Sequence, residues 1–290
     1  MKKYGKSETV NEAVKPVVKW AGGKRQILPQ MLSNLPEQWN RYFEPFVGGA
    51  AMFLALRNNH RAKMATIGDT NSELVNLYLE IRDNPEGLIR RISAMEFINE
   101  RQSYTSARTL FNTIKGAEES KTERAALFLY LNRHCFNGLW RVNSSGNFNV
   151  PIGKYRNPSI PNPDEIRKYS GALQNVDIRC GDFESTVAGV QPGDFVYFDP
   201  PYEPVSKTSR FTSYTKTGFP FSEQQRLSDL CRKLDGMGVY FMVSNSYSPS
   251  IIELYGEFTI KRIEARRSIN SDSHGRTGIT ELLITNYVHS

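Results

Sequence analysis

Along the first 80 residues, short apolar runs alternate with stretches whose apolar positions recur every three or four residues. Arg41 to Pro45 reads as a strand, the Gly48–Gly49 pair as a tight turn, and Ala50 to Arg57 as a helix that buries Phe53, Leu54 and Leu56. Lys63 to Gly68 forms a second strand candidate ending at Asp69, and Ser72 is placed to cap a helix with Leu74, Val75, Leu77, Tyr78 and Ile81 on its apolar side. Strand, helix, strand, helix in that order predicts a parallel sheet with right-handed crossovers. The pattern then changes. Pro85 to about Leu131 is mostly helical in pattern with no convincing strand, and Asn137 to Pro163 is dense in Gly, Asn and Pro, which predicts loops or a short hairpin. Strand candidates resume at Asp177–Cys180, Phe195–Phe198, Val239–Ser244, Thr259–Ile263 and Glu281–Thr285. The chain therefore reads as one α/β domain interrupted by a mostly helical insertion, with boundaries at 1–80, 81–157 and 158–290.

Composition narrows the class. No run approaches the roughly 20 apolar residues that cross a bilayer, and Lys2, Lys3 and Lys6 lead into no apolar signal core, so a cytoplasmic protein is expected. Cys135, Cys180 and Cys231 are isolated from one another and from any His cluster, and are expected to be buried structural thiols rather than metal ligands. That spacing also excludes a zinc deaminase, which needs two close Cys and a Glu after a His. A net charge of +7 points to an anionic partner.

Asp199-Pro200-Pro201-Tyr202 follows directly on the apolar run Val196-Tyr197-Phe198. Ligands of open α/β sheets bind beyond the carboxyl ends of strands, where this tetrapeptide would lie. Two prolines stiffen the turn, since each fixes its own φ and restricts the residue before it. An exocyclic amine on a nucleobase is a poor nucleophile because its lone pair is delocalised into the ring. The Asp199 carboxylate and the Pro200 carbonyl offer two acceptors for its two N–H bonds, and Tyr202 a face for the base. No Cys follows a Pro, so covalent activation of a ring carbon is not indicated. Phe46-Val47-Gly48-Gly49-Ala50 closes the first strand, and Asp69 follows about 20 residues later, the general arrangement of a nucleoside site with an acid for the ribose. A dehydrogenase fits this spacing as well, although the third Gly of a pyrophosphate fingerprint is missing.

Taken together, the tetrapeptide and its strand context resemble the Dam family of DNA adenine methyltransferases, over nearly the whole chain from Trp20 to about Tyr287. The resemblance implies a Rossmann-like S-adenosylmethionine-dependent sheet with an inserted helical DNA-recognition domain, and methyl transfer to the N6 amine of an adenine flipped from duplex DNA, within GATC. Cytosine-N4 methylation and an inactive DNA-binding homologue stand as alternatives. It implies that Trp20-Ala21-Gly22-Gly23-Lys24 holds the cofactor, with backbone N–H groups and the Lys24 ammonium on the methionine carboxylate and Trp20 as a wall. Phe46, Gly48, Asp69 and Asp199 line the same pocket, Asp182 accepts from the cofactor's adenine amine, and Phe183 packs on its ring. Ala50 departs from the family, which carries Gly there.

The resemblance extends through Leu131-Asn132-Arg133, Phe136-Asn137-Gly138-Leu139 and Asn149-Val150-Pro151-Ile152-Gly153. By it, Phe136 inserts beside the flipped base with Asn137 next to it, Leu139 and Pro151 touch thymine, and Arg141 reads guanine. Arg133, Asn143, Asn149 and Tyr155 complete the expected DNA contacts, and Trp140 and Val142 carry no assigned role. Arg266-Arg267-Ser268-Ile269 resembles a segment near the DNA backbone, and Ser206–Ser209 with Phe211–Tyr214 is expected to close over the base. The partner is double-stranded DNA, with no metal and no membrane. The protein is expected to be a monomer in solution, with more than one copy able to occupy DNA.

Overall fold

The computed structural model describes residues 13–24, 26–114, 120–202, 219–265 and 279–288. Within them, one sheet is built from β1 (Tyr42–Glu44), β2 (Ala65–Asp69), β3 (Val176–Cys180), β4 (Phe195–Phe198), β5 (Tyr240–Ser246), β6 (Thr259–Ala265) and β7 (Ile279–Thr285). Their order across the sheet is β3-β2-β1-β4-β5-β7-β6. β1 to β5 run parallel, as the strand–helix alternation predicts, and β7 runs antiparallel to both its neighbours.

Each residue of β4 is buried, as expected of a central strand covered on both faces. Alternation divides them: Phe195 and Tyr197 join the apolar cluster on one face, Val196 and Phe198 that on the other. Strand numbering runs outward in both directions from the boundary between β1 and β4. That boundary is the topological switch point, where a crevice opens beyond the strands' carboxyl ends. The turn after β1 and the corner after β4 both face it.

Helices α2 (Ala51–Asn58) and α3 (Ser72–Asp83) link the first strands, followed by α4 (Pro85–Ser93), α5 (Arg101–Thr113) and α6 (Lys121–His134). α6 is buried on nearly every side from Arg124 to Asn132, so it lacks the one-sided pattern of a surface helix. Near its end, the Asn132 amide bonds both backbone groups of Lys19, donating to its carbonyl and accepting from its N–H, each at 2.8 Å. The run from Lys19 to Lys24 is thereby strapped to the helix.

Two local readings shift by one residue. Asn71, not Ser72, caps α3, its Oδ1 accepting from the N–H groups of Glu73 and Leu74 at 3.1 and 3.3 Å. Ala50 does not open α2 as a helical residue but precedes it in the left-handed region, at φ 59°. Cys135 and Cys231 are buried as expected, whereas Cys180 is exposed at the end of edge strand β3. No helix among the described residues is long and apolar enough to cross a membrane.

Candidate active site

The corner after β4 is held from three sides. Ser244 of β5 donates to Asp199 Oδ1 at 2.8 Å, and Ser244 is itself within 3.0 Å of the buried Tyr197 hydroxyl. Lys24 Nζ lies 2.9 Å from the same Oδ1. Lys24 also donates to the Tyr202 hydroxyl, and Tyr202 donates in turn to Glu281 Oε2 at 2.7 Å. A second contact of 3.5 Å joins Lys24 Nζ to Glu281 Oε2, and the ammonium sits 4.4 Å from the Tyr202 ring centroid. Below the corner, Gln224 of α9 (Phe221–Gly236) donates to the Pro201 carbonyl at 3.3 Å and is fixed by Asn245 at 3.0 Å.

The Ser244 and Lys24 bonds both fall on Oδ1 of the carboxylate. Among the described residues, no hydrogen bond engages Asp199 Oδ2 or the Pro200 carbonyl. Toward those residues, the two expected acceptors are open. Burial, with the charges of Asp199 and Glu281, raises the Tyr202 phenol well above its ordinary range, so its hydroxyl keeps the proton it gives to Glu281.

Lys24 is only 4% exposed, which forces its charge to be neutralised in place. The ammonium meets Asp199, Tyr202 and Glu281. Behind it lies another acid. Glu44, at the end of β1, accepts from the Tyr42 hydroxyl at 2.7 Å, and burial pushes its carboxyl up to about 8, with the nearby Asp199 charge adding to the shift.

The turn after β1 is a cradle without side chains. A Cβ at Gly48 would stand 2.7 Å from Trp20 Cδ1, so the indole lies directly against the turn, and only Gly fits there at φ 44°. Asp69 braces the turn from β2: Oδ2 accepts from Gly48 N–H at 3.1 Å and Oδ1 from Asn71 N–H at 2.9 Å. Burial still lifts this acid to about 6, against those backbone bonds. At Gly22 the space a Cβ would enter is open, and Ala21, Gly22 and Gly23 are exposed. A glycine turn against an indole, with a buried acid bonded to its backbone, is chemistry that suits a nucleoside cofactor.

Asp182 and Phe183 follow β3, and Phe183 reaches Phe46 of the turn after β1. Asp182 caps the short helix α8 (Phe183–Thr186), accepting from Ser185 N–H at 2.9 Å, and pairs with Arg226. Burial works against its charge, but the Ser185 and Arg226 bonds prevail and hold the carboxyl below its usual range. Phe183 is buried, 5.6 Å from Phe46 and 6.2 Å from Phe219 between ring centroids, with the Arg226 guanidinium 4.3 Å from its ring. Much of the Phe183 side chain is thus ordinary core.

The Gly/Asn-rich segment folds as a short turn and an antiparallel bridge. Phe136 is 49% exposed, and its N–H donates to the Pro151 carbonyl at 2.9 Å, while Asn137 adopts a left-handed φ of 54°. Val142 pairs with Phe148, and Asn143 closes the hairpin by accepting from Ser145 and Asn147 N–H groups at 3.1 and 2.9 Å. Arg141 donates to the Asn149 side chain at 2.8 Å. Arg133 donates to the Ser159 carbonyl at 2.6 Å, and Tyr155 lies under the Lys19 ammonium, 3.4 Å from ring centroid to nitrogen. Leu139 packs on the core, and Trp140 sits among Phe111, Phe128 and Phe148.

A family model for the D12 class N6 adenine-specific DNA methyltransferases matches residues 20–269. The chain belongs to the D12 class of adenine-specific DNA methyltransferases. Among the curated relatives, it is 46% identical to a Type II methyltransferase, M1.LlaDCHI, of Lactococcus lactis subsp. cremoris, across 94% of this chain and 96% of that one. It is 43% identical to the Type II methyltransferase M.MjaIII of Methanocaldococcus jannaschii, across 94% and 99%. A DNA adenine methylase of Haemophilus influenzae is 32% identical across 93% and 92%.

For this D12 methyltransferase, the structure gathers Lys24, Asp199, Pro200, Pro201 and Tyr202 at one corner, and Trp20, Gly48 and Asp69 at the neighbouring turn. Asn143 and Arg133 spend their visible bonds shaping the recognition segment. Sequence reading passed over Ser244, Gln224, Glu44 and Glu281. The available signal was a polar or charged residue inside or beside an otherwise apolar strand. Ser206–Ser209, Phe211–Tyr214 and Arg266–Ile269 lie outside the described residues.

Proposed function

We propose that this DNA adenine methyltransferase moves a methyl group from S-adenosylmethionine to the N6 amine of an adenine turned out of duplex DNA, with GATC as its target. The observation that carries the reading is the half-occupied corner at the switch point: Asp199 Oδ1 is bound by Ser244 and Lys24, while Oδ2 and the Pro200 carbonyl carry no bond from any of the described residues.

The cofactor supplies an electrophilic methyl on a sulfonium. The backbone at Gly22 and Gly23, the Trp20 wall, Gly48, Phe46 and Asp69 would hold it, with Asp182 and Phe183 at its adenine end. Asp199 Oδ2 and the Pro200 carbonyl accept the two amine hydrogens, drawing the nitrogen lone pair out of conjugation and toward the methyl. Because the prolines and Ser244 have already set both acceptors, little reorganisation accompanies the reaction. As the nitrogen becomes cationic, Asp199 stabilises it and takes the departing proton by the hydrogen bond already in place. Tyr202 presents its ring to the base.

Residues 81–157 act as the inserted recognition unit. Phe136, exposed beside the left-handed Asn137, is placed to fill space left by the base, and Leu139 and Pro151 flank it with apolar surface. Arg141 reads guanine once it exchanges Asn149 for the N7 and O6 edge. Asn143, Arg133 and Tyr155 hold this segment in shape from within.

Asp199→Ala, incubated with unmethylated duplex DNA and labelled S-adenosylmethionine, should lose methyl transfer by at least about a thousandfold, the scale set by losing a principal transition-state partner. Equilibrium binding of the cofactor should stay within a few fold. Turnover near the wild-type rate, or N4-methylcytosine rather than N6-methyladenine in digested product DNA, would overturn the reading.

A further inference from the structure

Glu281 enters the site because β7 runs against the other strands. The parallel strands finish at the crevice, so the antiparallel strand begins there, and Glu281 pairs in register with Ser246. It is 9% exposed, and both of its side-chain contacts at this site fall on Oε2: the Tyr202 hydroxyl at 2.7 Å and Lys24 Nζ at 3.5 Å.

One carboxylate suffices to neutralise one buried ammonium, yet two stand here. With Asp199 as its only anion, Lys24 would be drawn fully onto that carboxylate and would occupy Oδ2, which carries no bond from the described residues. Coulomb attraction at such distances is strong where water is scarce. A second anion on the far side holds the ammonium to Oδ1 alone. Charge counting gives a second consequence: Lys24, Asp199 and Glu281 together carry one net negative charge, whereas Lys24 and Asp199 alone would carry none. A net negative cluster favours the cationic nitrogen that develops during transfer.

We infer that Glu281 is a positioning residue for methyl transfer, restraining Lys24 and Tyr202 so that Asp199 keeps a free oxygen and the corner keeps its negative charge. This rests on the reading of Asp199 as the amine's acceptor. Glu281→Gln preserves shape and still accepts from Tyr202, but removes the charge. Under single-turnover conditions its methyl-transfer rate constant should fall about 10- to 100-fold, the range for losing an outer partner of a reacting group. Binding of S-adenosylmethionine and of DNA should stay within about twofold, because neither is proposed to touch Glu281. In a Lys24→Met background, adding Glu281→Gln should cause a clearly smaller loss of rate than it does in the wild type, because only the loss of charge and not the release of Lys24 then remains. A crystal structure of Glu281→Gln should show Lys24 Nζ bonded to both oxygens of Asp199.

An unchanged rate constant, an equal loss in both backgrounds, or an ammonium still on Oδ1 alone would each overturn the inference. If Lys24→Met does not fold, Glu281→Asp replaces it: restored charge should recover rate relative to Gln, and equal rates for the two would overturn the idea. Asp199→Ala, run alongside, separates the two levels. An active Asp199→Ala removes the acceptor reading itself, whereas an inactive one beside a fully active Glu281→Gln removes only the role of Glu281.

Discussion

The corner after β4 and the segment from Phe136 to Tyr155 are both rich in polar side chains, yet they are organised in opposite ways. At the corner, bonds come from distant parts of the chain, from Lys24, Ser244, Gln224 and Glu281, and the partners are largely buried. In the segment from Phe136 to Tyr155, Arg141 and Asn149 are bonded to each other at the surface, and among the described residues Asn143 bonds to its own turn. The first arrangement fixes groups before any substrate arrives. The second is local and exchangeable, since a surface pair gains little over water and can be traded for a base edge.

Ser244→Ala should break the fixed side most sharply. It strips Asp199 of its neutral donor and leaves the buried Tyr197 hydroxyl without its partner, so unfolding free energy should drop by about 1–3 kcal/mol. Transfer should slow with it, while discrimination between GATC and near-cognate duplexes stays constant. A parallel loss of discrimination would show the two regions to be one unit. On the exchangeable side, Arg141→Ala should leave thermal stability nearly untouched and reduce preference at the guanine by about 1–3 kcal/mol, read from transfer rates on substituted duplexes. A uniform loss over all sequences would instead make Arg141 a phosphate contact.

Glu44 sharpens the comparison through pH. Its folded-state value near 8 lies above the ordinary 4.5, so the folded protein holds this proton more tightly than the unfolded chain. Its contribution is complete below about pH 4.5 and is lost as pH rises through 8. Melting temperatures of wild type and Glu44→Gln, measured from pH 5 to 8.5, should diverge with rising pH in favour of Gln. Parallel curves would place the proton elsewhere. Asp69, raised to about 6, steepens both curves equally and leaves their difference to Glu44. The smallest effect expected is Ala50→Gly. Relief of the left-handed φ is worth about 1–2 kcal/mol, and loss of one buried methyl about 0.8 kcal/mol in the other direction. Net stability should move by no more than about 1 kcal/mol in a denaturant titration.

How far the sequence disclosed this arrangement follows from how local each cause is. Asp199-Pro200-Pro201-Tyr202 was readable because its stiffness is covalent and an all-apolar strand precedes it. The helices α4 and α5 were readable from their one-sided period, whereas α6, buried nearly all round, offers none. Asn71 and Ser72 are both good caps, and which one serves depends on where the backbone leaves β2, so the choice fell one residue away. Glu281 was opaque for a different reason: only the reversal of β7 carries it to the crevice, and nothing near it in sequence encodes that reversal. The partners of Lys24 were opaque as well: they come from the β4 corner and from β7, far from it in the chain.

The strap from Lys19 to Lys24 sets a length scale for the whole molecule. One end is clamped by Asn132 beside Tyr155, the other is pinned at Asp199. Five residue steps cover at most about 18 Å when fully drawn out. Duplex DNA advances about 3.4 Å per step. A ruler of that size spans roughly five base-pair steps, and the Asn132 end of α6 and the Asp199 corner cannot drift farther apart than that without one anchor breaking.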